Sequence, residues 1–112
     1  MISGIHALMF TPQAEEVRAF LRDVLGFPSV DAGEGWLIFA LPPAELGVHP
    51  AEAARQELYL MCADIEATVR ELAAKGVELA RPISEERFGL VTAIKIPGGE
   101  LPLYQPKHPT AL

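Results

Sequence analysis

The chain has 112 residues, of which 50% are hydrophobic and 21% are charged, and its formal net charge is -6. This length fits a single structural domain or two very small modules that share a core, and it excludes a large second domain. Nucleic acids and anionic membrane surfaces recruit clustered lysine and arginine, so the negative charge argues against both as partners. Small molecules and other proteins remain as possible partners.

Cysteine use and the N-terminal residues both suit the cytoplasm. Cys62 is the only cysteine, so the chain has neither a disulfide framework nor a paired-cysteine zinc motif. Its apolar surroundings are more typical of a small buried hydrophobe than of a nucleophile. The N-terminal residues lack the pattern of a signal peptide, and no apolar stretch reaches the ~20 residues of a membrane helix. We expect a cytoplasmic protein.

The first half of the chain predicts one strand, one helix and three further strands. Residues 4–10 are predicted as a strand, and Thr11-Pro12 then supplies an N-cap hydroxyl and a proline at the first helical position. Apolar residues at three- and four-residue spacing follow, and Gly26 is a typical C-terminal stop. Three strands are expected after it, at 28–31, 36–41 and 45–49, with a Gly33-Glu34-Gly35 turn between the first two.

The second half predicts the same order of elements after a connector at 50–55. Residues 57–62 are predicted as a strand, Asp64 as a helix N-cap, and Gly76 as the end of that helix. Three strands are expected to follow at 78–81, 90–96 and 101–105, with Pro97-Gly98-Gly99 as the last turn.

These patterns predict an α+β fold of two βαβββ modules. The first module spans residues 1–50 and the second spans 55–108, and together they form one domain over 1–112. Each module is too small to bury its own sheet face, so the two are expected to pack together. Helices on one side of the sheets leave the opposite faces to enclose a cleft.

Several features together resemble the vicinal oxygen chelate superfamily of glyoxalase I, bleomycin-resistance proteins and extradiol dioxygenases. They are the repeated βαβββ order, a histidine in the first strand, the phrase Phe-Leu-Arg-Asp-Val-Leu-Gly-Phe at 20–27, and Pro-Gly-Gly-Glu-Leu at 97–101. The phrase at 20–27 is similar to the family's "FY..vLGf" pattern, with Leu21 where an aromatic residue is common. The resemblance covers almost the whole chain and implies a glyoxalase-like cleft.

In metal-using members of that superfamily, ligands from the first and last strands of each module converge on one divalent ion. The resemblance therefore implies His6 and Glu57 as ligands of zinc, iron, manganese or nickel, with Glu57 also as the catalytic carboxylate that moves a proton. The last strand of the first module offers His49 or Glu45, which share a strand face; we place His49 in the predicted set, and the register leaves Glu45 open.

The final strand departs from the pattern of the family enzymes. Pro102 stands where those enzymes carry a glutamate, and proline has no donor atom for a metal. Tyr104 shares the strand face with Pro102 and offers a phenol instead. The final strand therefore lacks the metal ligand that would complete a glyoxalase-type set.

Each predicted ligand also has an ordinary structural interpretation. His6 fits a hydrogen-bonded histidine of a cleft or core, Glu57 an exposed carboxylate at a strand end, and His49 a solvated loop residue. His108 lies in a terminal tail between Lys107 and Pro109, and we predict that it is a surface residue.

Apolar and aromatic side chains are expected on the concave faces, where they would line a pocket for a flat or apolar ligand. By strand alternation these predicted substrate-binding residues are Leu8, Phe10, Trp36, Ile38, Tyr59, Met61 and Tyr104. The same residues are equally typical of ordinary sheet core.

Three functions are consistent with these patterns. The first is a divalent-metal-dependent lyase, isomerase or dioxygenase that acts on a small molecule with vicinal oxygens. The second is a metal-free protein that binds or sequesters a small molecule, as resistance proteins do. The third is a structural or regulatory module without ligand. In each case we expect a homodimer, because a two-fold dimer is the commonest soluble oligomer.

Overall fold

The computed structural model describes residues 6–45, 47–48 and 50–109. Within these ranges two helices and six strands form, with the small sheet β1-β2 and a four-stranded sheet of order β3-β6-β5-β4. The elements in chain order are α1 (Ala14–Asp23), β1 (Ser29–Asp31), β2 (Leu37–Phe39), β3 (Leu60–Met61), α2 (Ile65–Ala74), β4 (Leu79–Glu86), β5 (Gly89–Ile96) and β6 (Gly99–Pro106). The predicted α+β class is confirmed.

Helix α1 begins two residues later than its predicted start at Pro12. The hydroxyl of Thr11 accepts a hydrogen bond from the backbone N–H of Gln13 at 3.1 Å, so it closes a turn ahead of the helix and does not cap it. The predicted end is correct. Gly26 has φ 71°, and the N–H of Phe27 donates to the carbonyl of Leu21 at 3.0 Å, the pattern of a glycine-terminated helix.

Helix α2 begins where the sequence predicts. The Asp64 side chain accepts a hydrogen bond from the N–H of Ala67 at 3.1 Å, which satisfies a donor that the first helical turn leaves unpaired. Gly76, with φ 84°, follows the last turn. Ile65 and Leu72 are the buried residues of this helix, and they fix the face that packs on the sheet.

The four-stranded sheet is built around the hairpin of β5 and β6. Their antiparallel register runs from Gly89 opposite Pro106 to Ile96 opposite Gly99, so the turn falls at the predicted Pro-Gly-Gly sequence. Strand β3 lies parallel to β6, with Leu60 opposite Leu103. Strand β4 pairs antiparallel with the other edge of β5 and carries two irregularities.

The hydrophobic core lies between the helices and one face of this sheet. Ile65 and Leu72 of α2 meet Ile94, Leu101 and Leu103 of the two central strands, all nearly inaccessible to solvent. Helix α1 adds half-buried residues to the same cluster, namely Phe20, Leu21 and Leu25. Both helices therefore contribute to one core.

The first half of the chain contributes less sheet than predicted. Of the described residues, 6–10 at the predicted first strand and 45, 47 and 48 at the predicted fourth lie outside any strand; residues 4, 5, 46 and 49 fall outside the described ranges. A strand needs a neighbour that completes its backbone hydrogen bonds. The second half has one strand, one helix and three strands in the predicted order. Neither described helix has the length and apolar character needed to cross a membrane.

Candidate functional site

The face of the four-stranded sheet opposite α2 carries a row of apolar side chains, and we call it the open face. Leu60 and Leu103 point into the core, so their neighbours Met61 and Tyr104 point to the opposite side. Met61 is paired with Tyr104, and Tyr104 is paired with Val91 on β5. One row therefore crosses three adjacent strands.

Tyr104 is the centre of a group of rings, the aromatic cluster, which consists of Tyr59, Phe88, Tyr104 and His108. The Tyr104 centroid lies 5.9 Å from that of Tyr59, 5.9 Å from that of Phe88 and 5.8 Å from that of His108, distances typical of tilted and edge-to-face contacts. The Tyr104 hydroxyl donates to the Phe88 carbonyl at 3.2 Å. Tyr59 is 41% exposed and Phe88 is 52% exposed, so the cluster presents ring surface to solvent.

A glycine allows the central ring to lie close to the turn between β4 and β5. Gly89 has φ 155°, and a Cβ atom there would lie 2.9 Å from Cε1 of Tyr104. Any larger residue would therefore clash with the ring and would also face a strained backbone conformation. Glycine at position 89 therefore allows the Tyr104 ring to pack against this turn.

One carboxylate is held beside the cluster by Tyr59. The Tyr59 hydroxyl donates to Oε2 of Glu57 at 2.9 Å, and Nε of Arg55 lies 3.3 Å from Oε1. The hydrogen bond to the carboxylate favours the neutral phenol and raises the pKa of Tyr59, and partial burial adds to the effect. Glu57 thus lies at the edge of the open face.

A second carboxylate approaches the cluster from the first half of the chain. The Glu45 side chain is only 16% exposed, and its Oε1 atom lies 3.6 Å from Nε2 of His108. Burial raises the pKa of Tyr104, and the negative charge of Glu45 adds to that rise. Glu45 therefore faces both rings.

The structure brings together only part of the predicted substrate-binding set. Tyr59, Met61 and Tyr104 share the open face with the predicted catalytic residue Glu57. The other four predicted residues lie in the first half and are exposed: Leu8, Phe10, Trp36 and Ile38. The Trp36 ring is covered by the guanidinium of Arg18 at 4.9 Å. Within one chain the two sets belong to separate parts of the structure, since β2 does not pair with the four-stranded sheet.

The predicted metal ligands do not assemble in the described residues. His6 is exposed, Glu57 is bonded to Arg55 and Tyr59, and His49 lies outside the described ranges. Across 6–45, 47–48 and 50–109, no three histidine, cysteine, aspartate or glutamate side chains are grouped for a metal ion. The phenol of Tyr104 is already a donor to a backbone carbonyl.

Two members of the cluster were missed by sequence reasoning. His108 was predicted as a surface residue, and its side chain is 42% exposed, yet one face of it rests on Tyr104. The contact depends on β6 continuing to Pro106, beyond its predicted end. Phe88 lies with Arg87 in the turn that follows Glu85 and Glu86 at the end of β4. An aromatic residue directly after three charged ones was the available signal.

A groove of about 330 Å³ lies on the other side of the molecule, between α1 and the end of α2. Phe20, Val24 and Val77 form its apolar walls. The ammonium of Lys75 donates to the Val24 carbonyl at 3.2 Å, and that of Lys95 lies 3.2 Å from Glu78. Its cations are thus engaged within the chain, which makes it a weaker candidate than the open face.

Solved structures of similar fold cover nearly the whole chain. The antibiotic binding protein TnmS3 of Streptomyces sp. CB03234 is 21% identical, with a TM-score of 0.64, and the match covers 96% of this chain and 100% of that one. Lactoylglutathione lyase of Agrobacterium tumefaciens is 15% identical, with a TM-score of 0.66 and coverage of 93% and 94%. A superfamily member of Sphaerobacter thermophilus is 20% identical, with a TM-score of 0.60 and coverage of 93% and 98%.

At these identities the solved structures establish the fold alone. No curated protein matches the chain significantly. The family model of the Glyoxalase/Bleomycin resistance protein/Dioxygenase superfamily matches residues 5–101, a range that contains α1, α2 and most of the described sheet. With the glyoxalase-like fold and the predicted motifs at 20–27 and 97–101, this match places the chain: it belongs to the Glyoxalase/Bleomycin resistance protein/Dioxygenase superfamily.

Proposed function

We propose that this protein binds a flat, largely apolar small molecule on the open face and that binding needs no metal. The observation that carries the proposal is the aromatic cluster around Tyr104, whose rings are partly exposed beside the apolar row of Met61 and Val91. Aromatic side chains offer large stacking surfaces together with hydroxyl groups that orient a ligand.

The chemistry at the open face suits binding better than proton transfer. Both phenols of the cluster are hydrogen-bond donors, Tyr59 to Glu57 and Tyr104 to the Phe88 carbonyl. Their raised pKa values keep them protonated at neutral pH. They therefore act as fixed stacking surfaces and not as bases.

A protein of the same fold has this kind of function. TnmS3, whose fold this chain shares, is named as an antibiotic binding protein. A sequestering role would require a surface that holds a drug-sized ring system, which the open face supplies. The lone thiol, Cys62, has a pKa raised by burial, and an inert, reduced thiol agrees with a cytoplasmic site of action.

The binding unit under this proposal is a homodimer. The accessible surface of the single chain is 8610 Å², whereas a compact monomer of 12.1 kDa exposes about 6,000 Å². The radius of gyration, 15.0 Å, is also larger than the ~13 Å of a compact chain of about this length. The single chain thus exposes much more surface than a compact monomer of its mass. A standard protein interface would cover ~800 Å² of this surface on each partner.

The exposed large hydrophobic residues lie mainly in the first half. Eight of the twelve exposed large hydrophobic residues among the described ones fall between Leu8 and Val48. In the proposed dimer, Phe10, Trp36 and Ile38 of one copy approach the open face of the other and complete the pocket. This arrangement unites the two sets of predicted substrate-binding residues.

A metal-dependent lyase, isomerase or dioxygenase is the second candidate. Its ligands would be His6, Glu57 and His49, and the observation in its favour is Glu57, which Tyr59 holds beside the open face. Lactoylglutathione lyase, whose fold is shared, is named as an enzyme. The described donors do not group around a metal, so we rank this function second.

The test is binding of acridone, a neutral flat tricyclic compound, followed by fluorescence anisotropy in metal-stripped protein with excess chelator. We expect saturable binding in chelator and about five- to tenfold weaker binding by Tyr104→Leu, since one stacked ring contributes about 1–1.5 kcal/mol. Phe27→Leu is the control, because Phe27 lies in the α1–β1 connection outside the cluster.

The opposite result would favour the enzyme. Elemental analysis would then find about one zinc, iron, manganese or nickel ion per chain, acridone would bind only after that metal is restored, and His6→Ala and Glu57→Ala would both lose the metal.

A further inference from the structure

The tail of the chain occupies a defined place on the aromatic cluster. His108 lies with its ring against Tyr104 at a centroid distance of 5.8 Å and an interplanar angle of 44°, while its Nε2 atom lies 3.6 Å from Oε1 of Glu45. We call the space between the Glu45 carboxylate and the Tyr104 ring the Glu45–Tyr104 notch. One planar nitrogen ring fills it in this structure.

The contacts of His108 show which chemistry the notch accepts. Its Nδ1 atom lies 2.8 Å from the Pro109 carbonyl, and its Nε2 atom faces a carboxylate. Only the Nε2 contact belongs to the notch, because Pro109 is the next residue of the tail. A carboxylate accepts hydrogen bonds and attracts positive charge, so the notch suits a flat ring that carries a donor nitrogen or a positive charge.

The environment of Glu45 leads to the same chemistry. Its side chain is largely removed from solvent, at 16% exposure, and a carboxylate in that position is stabilised by a nearby positive charge. Burial raises the pKa of Tyr104, and the negative charge of Glu45 adds to that rise, which agrees with a carboxylate close to the ring. An aromatic face beside a carboxylate attracts a cation from two sides.

The tail is anchored beside the notch and not within it. The Lys107 N–H donates to the Phe88 carbonyl at 3.0 Å, and its ammonium lies 3.2 Å from Oε1 of Glu85. His108 follows as the first residue beyond these anchors, and its side chain is 42% exposed. Its ring can therefore leave the notch by side-chain rotation while the strand end stays in place.

We propose that the Glu45–Tyr104 notch recognises a planar cationic nitrogen group on the ligand, and that His108 holds this place until the ligand displaces it. The proposal rests on the small-molecule binding proposed above and specifies its ligand class: a flat ring system that carries a positive charge. His108 acts as an internal competitor, so the affinity for such a ligand is lowered by the fraction of chains in which the ring is seated.

The experiment compares two tricyclic dyes of the same size, proflavine, which is cationic at neutral pH, and acridone, which is neutral. Fluorescence anisotropy gives the affinity of the dimer for each. We expect wild-type protein to bind proflavine about tenfold more tightly than acridone. Glu45→Gln should remove that preference and leave acridone binding unchanged.

Two further variants make the result specific. Glu52→Gln removes the same charge from the exposed connector and should keep the preference for proflavine, so it controls for the net charge of the protein. His108→Ala should tighten proflavine binding about threefold, because the competitor is gone. If Glu45→Gln does not fold, the His108→Ala result carries the test.

The outcomes separate this proposal from the function on which it rests. Equal binding of both dyes, equal effects of the substitutions at 45 and 52, or weaker proflavine binding by His108→Ala would overturn the role of the notch while small-molecule binding stands. Failure of both dyes to bind any variant would overturn the proposed function itself.

Discussion

The two halves of the molecule differ in how well they bury their apolar residues. Six of the seven buried hydrophobic residues among those described lie between Ile65 and Leu103, and the first half contributes only Val17. The first half instead holds most of the exposed large hydrophobic residues, with Phe10 at 89% and Trp36 at 66% exposure. Among the described residues, the hydrophobic core is therefore built mainly by the second half, and the exposed apolar surface lies mainly in the first.

Residue type does not explain the contrast, because both halves carry amphipathic helices and apolar strands. What differs is the number of neighbours available for each strand. Strands β5 and β6 are flanked on both sides, whereas β1 and β2 pair only with each other in the described residues. A two-stranded ribbon is only marginally stable alone. In the proposed dimer, a second copy would cover the exposed apolar side chains of the first half.

The largest expected difference between the halves is in the stability lost when an apolar side chain is truncated to alanine. Ile94→Ala should lower the free energy of unfolding by about 3 kcal/mol, because Ile94 is fully buried and its removal leaves a cavity. Ile38→Ala should cost less than about 1 kcal/mol in dilute protein, since Ile38 is 43% exposed. Urea denaturation measures both. Equal losses would mean that the first half is packed as tightly as the second.

The next difference concerns self-association. Ile38→Lys should weaken the dimer at least tenfold, since a charge replaces an apolar contact at the proposed interface, which corresponds to about 1.4 kcal/mol. Ala74→Lys, at an exposed position of α2, adds the same charge elsewhere and is the control. Sedimentation equilibrium should give twice the chain mass for wild type and for the control. A wild-type monomer at high concentration would refute the dimer.

The two helix N-termini allow a smaller and cleaner comparison. Asp64→Ala removes the side-chain cap of α2 and should cost about 1 kcal/mol. Gln13 makes no side-chain cap bond at α1, so Gln13→Ala should change stability by no more than a few tenths of a kcal/mol. Thermal unfolding followed by circular dichroism resolves this gap. Similar losses of stability for both variants would contradict a stabilising role for the Asp64 side-chain cap.

The smallest expected effect is a pH dependence that comes from the aromatic cluster. The pKa values of Tyr59 and Tyr104 are raised in the folded chain, whereas an unfolded tyrosine titrates near pH 10. The folded state thus holds these protons more tightly, so the stabilisation is fully present below about pH 10 and is lost as the pH rises through the folded pKa values. Denaturant titrations across this range measure the slope.

Phenylalanine variants of the two tyrosines identify the source of this pH dependence. Tyr59→Phe and Tyr104→Phe should each reduce the pH slope, and the phenolate absorbance of wild type should appear at higher pH in the folded than in the unfolded protein. Phenolate appearance at the same pH in both states would contradict the raised pKa values.

Sequence reasoning succeeded where the signal is local. Asp64 marks the start of α2 because a cap depends on residues three positions apart, and Pro-Gly-Gly marks the β5–β6 turn because it depends on backbone preference. It was less successful at residues 6–10, where a strand depends on a distant neighbour. The α+β class and the family were recognised because their motifs lie at those local signals.

Candidate site residues were harder to predict than the fold. Alternation placed Tyr59, Met61 and Tyr104 on one face, because it depends only on strand period. The positions of Phe88 and His108 around Tyr104 depend on the turn at Gly89 and on the length of β6, which no short pattern encodes. The predicted ligands His6, His49 and Glu57 remain predictions.

The most direct test of the account is to locate bound acridone by NMR chemical-shift mapping on metal-stripped protein in excess chelator. We predict saturable shifts at Tyr59, Met61, Val91 and Tyr104, the residues of the open face. Shifts confined to Phe20, Val24 and Lys75 would place the ligand in the groove between the helices, and the absence of saturable shifts would show that the open face does not bind it. Either result would contradict the account.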